Sequence, residues 1–447
     1  MTLTSRLATA IAVLGFAIPM FRPVHAREGF RMASVRPPDP DSPRARERET
    51  QIIVQFREQA GERDVARVAR EAGAARVKRS AFGNRYLVDL DSGFTTGEAM
   101  RRLGSAPEVE YAEVNGPVHA FFKPNDLAFE VQWNFRMLEA ERTWDIQKGD
   151  PAVVVAILDT GIAFEDFGPY RKAPDFGGTV FVQGHDFIND DSHANDDNFH
   201  GTHVASTVAE ATDNTLGATG FAFRCGLMPV KVLDHNGDGS FFDVAEGINF
   251  AANNSSVKVI NLSLGGDGNS QTVRNAIDSA VAKGITVVAA AGNDGRGTVS
   301  FPAALANVIA VGALDGRKEK APYSNFGAEL DLVAPGGDNR RDDTGPNGVP
   351  DGRPDGILQQ TLDPDSAEQG IFNDFGYFFV TGTSQATPHV AAVAALLYRQ
   401  GITKPEAIKA ALEQTAEDLG ATGRDDRFGN GLIRPSLALK GLGLNLK

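Results

Sequence analysis

The chain holds a single cysteine, Cys225, in 447 residues, which excludes an internal disulfide and any all-cysteine metal centre. With no partner, and inside the apolar run Phe221 to Val232, that thiol reads as a small buried filler. Beyond the N-terminus no stretch is apolar enough to cross a membrane. Basic charge is also in short supply, since the formal net charge is -14. The deficit is uneven: residues 27–119 carry 16 basic and 15 acidic side chains, residues 120–447 carry 26 and 43. An acidic body without a basic stripe argues against a nucleic-acid partner. The rest of the composition, 42% apolar and 23% charged, is that of an ordinary globular protein.

What is present begins with an export pattern. Residues 1–26, MTLTSRLATAIAVLGFAIPMFRPVHA, set Arg6 before the apolar stretch Leu7 to Phe21 and end on small residues at Ala26, as a signal peptide does. Pro19 interrupts the stretch as a span, so a secreted protein without a membrane anchor is expected. Residues 27–49, rich in Arg and Pro and poor in large apolar side chains, predict a disordered linker. Residues 50–119 predict a small α+β domain. QIIVQF, NRYLVDL and VEYAEVN have strand character, and RDVARVAREAG and GEAMRRLGS have helical spacing.

From residue 120 to 447 strands alternate with helices. VVVAIL, GLMPVKVL, VKVINLSL, GITVVAAAG, NVIAVGAL and LDLVAPGG are the strand candidates. TVRNAIDSAVAKG sets Val273, Ala276, Ile277, Ala280 and Val281 on one helical face. This alternation predicts an α/β fold of three layers, a parallel sheet between helices. In such sheets chemistry collects beyond the C-terminal ends of the strands.

Polar clusters stand at those ends. One strand ends on Asp159, another on Gly292-Asn293, and His200 opens a helical run. TGTSQATPHVAAVAALL, Thr381 to Leu397, puts Ser384 at another helix start. Taken alone, Ser384 reads as a helix cap with Pro388 in the first turn. Taken together, the residues supply a nucleophilic mechanism. A serine hydroxyl needs an imidazole to take its proton, and the imidazole needs a carboxylate to fix its tautomer. The developing oxyanion needs donors set in advance, such as an Asn amide and a helix N-terminal N–H.

Asp159-Thr-Gly, His200-Gly-Thr-His-Val-Ala, Ala291-Gly-Asn293 and Gly382-Thr-Ser384 resemble the four signature blocks of the subtilisin-like serine proteases. The resemblance covers residues from about 125 to 440 and implies a secreted serine endopeptidase acting on protein or peptide substrates through an acyl-enzyme. It implies that Asp159 orients His200, that His200 is general base and acid, that Ser384 attacks, and that Asn293 stabilises the oxyanion. Ser263-Leu264-Gly265 resembles the edge that pairs with an extended substrate, and Ala290-Ala291-Gly292 a wall of the primary pocket. Residues 50–119 resemble the family's propeptides, implying a self-processing precursor whose own propeptide is an intramolecular inhibitor, cut between Gly116 and Lys123. A monomer is expected. Three departures surround the site: Gln385 where the family usually has Met, Ser206 where it often has Gly, and Phe199 where a small residue precedes the histidine.

Asp175 and Asn214 resemble positions that hold a structural calcium in many members, and the Asp/Gly-rich insertion Gly336 to Gly356 is a second cation candidate or a solvated loop. Asp234-His-Asn236-Gly-Asp238-Gly matches the start of an EF-hand loop, but Ala245 stands where a bidentate Glu is needed, so a strand-to-helix loop is expected. Other function classes compete. A second Asp-Thr-Gly, Asp343 to Gly345, would suit an aspartic protease, but it lies in loop sequence. His185, His193, His200 and His203 crowd a short stretch, and His200 with His203 could share a zinc ion, yet no HExxH occurs. A binding protein on a catalytically silent scaffold is the third alternative, with Gln385 as its ground.

Overall fold

A computed structural model describes residues 11–12, 50–116, 122–342 and 352–441. The expected signal peptide (apart from residues 11–12), the 27–49 linker, residues 117–121 of the expected cleavage junction and residues 343–351 with the second Asp-Thr-Gly lie outside the described residues. The described residues divide into two compact units, one of residues 50–116 and one of residues 11–12, 122–342 and 352–441.

The smaller unit is a four-stranded antiparallel sheet with two helices. Its elements are β1 (Gln51–Phe56), α1 (Glu62–Glu71), β2 (Ala74–Arg79), β3 (Arg85–Leu90), α2 (Thr96–Gly104) and β4 (Val109–Val114). The sheet order is β2–β3–β1–β4. Alternation in QIIVQF drives Ile52, Val54 and Phe56 inward, where they meet Val65 and Val68 of α1 and Leu103 of α2. Strand β2 has no counterpart in the sequence reading. Its AARVKR segment leaves almost every side chain exposed, so no apolar alternation marks it.

The larger unit is built on a seven-stranded parallel sheet. Its strands are β5 (Val154–Asp159), β6 (His185–Asp186), β7 (Gly226–Lys231), β8 (Val257–Leu262), β9 (Thr286–Ala290), β10 (Ile309–Leu314) and β11 (Leu332–Pro335). Their order is β11–β10–β9–β8–β5–β7–β6, every neighbouring pair parallel. Strands β5, β7, β9, β10 and β11 are buried along their whole length, as expected when both faces are covered by helices. The covering helices include α3 (His200–Ala209), α4 (Phe241–Ala252), α5 (Gln271–Ala282) and α6 (Thr383–Arg399). In α5 the stripe Val273, Ala276, Ile277 and Ala280 is buried as its spacing predicts.

From β5 the strand order runs outward in two directions, to β8 on one side and to β7 on the other. That reversal opens a crevice at the C-terminal ends of β5 and β8, where Asp159 and Ser263 stand. An antiparallel hairpin follows the sheet, β12 (Ile357–Leu362) with β13 (Phe375–Val380). Strand β12 lies along the histidine helix α3: Ser206 Oγ donates to the Gln360 carbonyl at 3.0 Å, and His203 Nε2 bonds to the Ile357 carbonyl at 3.0 Å.

Candidate active site

Two glycines let the Asp159 and His200 segments close on each other. A Cβ on Gly161 would run into the Asn195 carbonyl, and a Cβ on Gly201 would run into the Gly161 carbonyl. With neither present, His200 Nδ1 donates to Asp159 Oδ1 at 2.7 Å, and both side chains are buried. The Thr160 N–H donates to the same Asp159 oxygen at 2.8 Å. Burial alone would pull the His200 imidazole down, but the charge and hydrogen bond of Asp159, with Asp196 adding, outweigh it and leave its pKa raised above 6.5.

Asp196 sets the start of α3. Its Oδ2 accepts the Thr202 N–H at 2.9 Å, and its Oδ1 accepts Thr160 Oγ1 at 2.8 Å and the Phe199 N–H at 3.2 Å. Phe199 takes φ 141° and ψ -25°, backbone that a side-chain-bearing residue adopts only under strain. The Thr361 hydroxyl, from β12, donates to the Phe199 carbonyl and pins it. Below the aspartate, Lys231 is almost fully buried and donates to the Thr160 carbonyl at 2.7 Å, the Leu233 carbonyl at 2.8 Å and Asp197 at 2.6 Å. Neither Asp196 nor Lys231 was singled out by the sequence reading. The Asp-rich run before His200 was the available signal for the first.

Ser384 is the second residue of α6, a helix buried from Thr383 to Leu397. Pro388 does not occupy its first turn, as the sequence reading expected, because the helix already begins at Thr383. A proline there removes the N–H that would bond the carbonyl four residues back, that of Ser384. Ser263 Oγ fills the gap, donating to the Ser384 carbonyl at 2.8 Å, while Ser384 Oγ donates to the Ser263 carbonyl at 3.0 Å. Asn293 is oriented by Thr383, whose N–H and Oγ1 both donate to Asn293 Oδ1 at 2.9 Å. Its amide nitrogen is thereby turned toward Gly382: a Cβ on that glycine would stand 3.5 Å from Asn293 Nδ2 and 3.6 Å from Ser384 N. The nearest atom to that Cβ would be Gln385 Oε1, at 2.7 Å, so the space beside Gly382 is bordered by two N–H donors and by the amide oxygen of Gln385.

The two expected pocket walls lie on neighbouring strands. Ser263 and Leu264 leave the end of β8 buried, and Ala290 to Gly292 leave the end of β9. Gly292 has φ 104°, which favours glycine, and a Cβ there would meet Ser300 Oγ and Asn325 Nδ2. A Cβ on Gly265 would stand 3.3 Å from Ser300 Cβ. Ser300 also donates its N–H to the Ala291 carbonyl at 2.9 Å, and the next residue, Phe301, exchanges two backbone bonds of 2.9 Å with Gly266. Ser300 and Phe301 therefore join the walls. The sequence offered no sign of this, because neither residue belongs to a motif.

Of the histidines proposed for zinc, His200 is bound to Asp159 and His203 to a hairpin carbonyl, with burial pushing the His203 pKa down to about 3. Among the described residues no group of three or more His, Cys, Asp or Glu side chains is placed to hold a metal ion. Asp234 accepts the N–H groups of Asn236 and Asp238, which makes its segment a tight turn. Asp175 and Asn214 are brought together, Asn214 Nδ2 donating to Asp175 Oδ1 at 2.7 Å.

The profile of the subtilase family matches residues 150–431, which contain Asp159, His200, Asn293 and Ser384. The chain belongs to the subtilase family. It is a subtilisin-like serine endopeptidase. The profile of the fervidolysin N-terminal prodomain matches residues 40–115 of this subtilase. The chain is 36% identical to the thermophilic serine proteinase of Bacillus sp. (strain AK1), over 85% of each chain. It is 36% identical to thermitase of Thermoactinomyces vulgaris, over 68% of this chain and 94% of that one. A solved structure described as proteases from Pseudoalteromonas arctica superposes with TM-score 0.62 at 32% identity, covering 71% of this chain and 99% of that chain. No helix among the described residues of this subtilase is long and apolar enough to cross a membrane.

Proposed function

We propose that this subtilase cleaves peptide bonds with Ser384 as nucleophile, His200 as base and acid, Asp159 as the orienting carboxylate, and Asn293 Nδ2 with Ser384 N as oxyanion donors. The observation that carries the reading is the His200 Nδ1–Asp159 Oδ1 bond of 2.7 Å in a buried setting. It fixes the proton on Nδ1 and leaves Nε2 as the basic nitrogen. For attack, the Ser384 hydroxyl leaves the Ser263 carbonyl and gives its proton to His200 Nε2 as Oγ bonds to the substrate carbonyl carbon. The carbonyl oxygen gains the negative charge beside Gly382, between Asn293 Nδ2 and Ser384 N, where the Gln385 amide oxygen that borders the space turns aside. His200 then returns the proton to the leaving amine, and water releases the acyl group by the same steps in reverse order. Ser263 to Gly265 and Ala290 to Gly292 line the bound segment on its two sides.

The prodomain at residues 50–119 and the catalytic domain at 120–447 make the enzyme a precursor that processes itself, with the prodomain as inhibitor until it is cut. The enzyme acts outside the cytoplasm, in keeping with the export pattern of residues 1–26, on protein and peptide substrates, as a monomer. The test is intact mass of the protein expressed without residues 1–26, beside Ser384→Ala, with fluorophosphonate labelling of both. Loss of the N-terminal unit and labelling in the parent alone are expected. A folded parent that stays full length and unlabelled would instead mark a silent scaffold.

A further inference from the structure

Gln385 stands directly after the nucleophile, where the family usually has Met. Its side chain is almost fully buried, and its Nε2 has no hydrogen-bond partner among the described residues. The backbone around it is tied down. Its N–H donates to the Gly382 carbonyl at 3.1 Å, and its carbonyl accepts His389 Nδ1 at 2.9 Å. His389 is itself fixed, its Nε2 accepting Asn134 Nδ2 at 2.8 Å. The residue is therefore held by its backbone, while its NH2 group is held by nothing.

Three polar atoms converge on the point that a Cβ on Gly382 would occupy: Gln385 Oε1 at 2.7 Å, Asn293 Nδ2 at 3.5 Å and Ser384 N at 3.6 Å. Two are donors, and the nearest is an acceptor. An acceptor oxygen would repel a carbonyl oxygen that gains negative charge there. The two ends of a carboxamide are nearly the same size, and the terminal torsion of Gln is broad and roughly two-fold. A half-turn about that bond replaces the oxygen by the NH2 group at the same place. The turn breaks no hydrogen bond of Nε2, and it gives that buried donor the partner it lacks.

We propose that Gln385 is a third oxyanion donor in this subtilase. Its amide faces the space oxygen-first in the free enzyme, turns as the substrate carbonyl enters, and presents Nε2 beside Asn293 Nδ2 and Ser384 N. The new hydrogen bond strengthens as charge builds on the oxygen, so it lowers the barrier more than it tightens substrate binding. Methionine at this position has no N–H to offer. The inference rests on the reading of Ser384 as the nucleophile.

The test is steady-state hydrolysis of a peptide p-nitroanilide by the processed enzyme, for the parent, Gln385→Met and Gln385→Leu. Both substitutions keep an apolar bulk of similar size and remove the donor, in two different shapes. Rates are referred to the concentration of Ser384 titrated by a fluorophosphonate and measured below the melting temperature of every variant. A fall in kcat of about 10–100-fold with KM nearly unchanged is expected in both, the span of one hydrogen bond to a charged group. If the Gln385 oxygen only obstructs the space, both substitutions relieve it and kcat rises. If the side chain only fills space, kcat of Gln385→Met stays level. Either result overturns the proposal, as does a loss of rate carried by KM alone. If Gln385→Leu does not fold, Gln385→Met decides it. A parent that neither turns over substrate nor takes the label would overturn the nucleophile reading and this one together; an active parent matched by Gln385→Met overturns this one alone.

Discussion

Ser263 and Ser384 hold each other by two hydrogen bonds, each hydroxyl donating to the other residue's carbonyl, at 2.8 and 3.0 Å. One of these bonds repairs a defect of the nucleophile helix, because Pro388 has no N–H for the Ser384 carbonyl. The other holds the hydroxyl of Ser384, the proposed nucleophile, hydrogen-bonded to a backbone carbonyl until substrate arrives. Asn261 Nδ2, donating to Ser263 Oγ at 3.0 Å, fixes the Ser263 rotamer that makes the first of them.

Ser263→Ala should therefore leave a buried carbonyl unpaired, costing about 1–3 kcal/mol, and should lower kcat. Adding Pro388→Ala restores the helical N–H, so the double variant should recover part of that stability. Chemical denaturation of the four proteins, all on Ser384→Ala to prevent self-digestion, forms a double-mutant cycle. A zero coupling energy would mean that Ser263 and Pro388 act independently.

Asn293→Ala removes one of the two donors flanking Gly382. A fall in kcat of about 10²–10³ is expected with KM nearly unchanged, a figure established on subtilisin, a relative of this enzyme. Steady-state kinetics on a peptide substrate check it. A rise in KM at constant kcat would instead assign Asn293 to ground-state binding.

The pH profile follows from the raised His200 pKa. Attack needs the neutral imidazole, so kcat/KM should rise with pH and reach half its plateau above pH 6.5, at the folded-state pKa of the free enzyme. Asp159→Asn removes the charge that raises it. The limb should then move to lower pH, and kcat should fall by about 10⁴ as the tautomer is lost. A limb that stays in place in Asp159→Asn would detach it from His200.

Gly201→Ala puts a methyl group into the Gly161 carbonyl and pries α3 from the Asp159 segment. Activity should fall at least as far as in Asp159→Asn, with Tm lowered by several degrees. Thermal melts on the Ser384→Ala background separate the stability effect from self-digestion. Full activity in Gly201→Ala would mean that the two segments tolerate separation.

Most of the catalytic geometry was legible because its signals are local. Asp159 closes a strand of continuous apolar residues, His200 opens a helix after an Asp-rich run, and Ser384 stands second in a helix that follows Gly382. Period-two and period-3.6 patterns place such residues at strand ends and helix starts without knowledge of the partner. Strand β2 escaped because exposed strands carry no such pattern, and Pro388 was misplaced by part of a turn because helix starts are set by hydrogen bonds rather than by composition.

By itself, then, the sequence determined the layer order, the family and the residues available for chemistry, since these follow from local periodicity and short motifs. Only the tertiary structure decided who satisfies whom. The Ser263–Ser384 exchange spans 121 positions and the Tyr377–Asp175 bond 202, and neither end of either pair carries a mark of the other. Buried polar groups must be paired, but which partner reaches them depends on how distant strands and hairpins are packed.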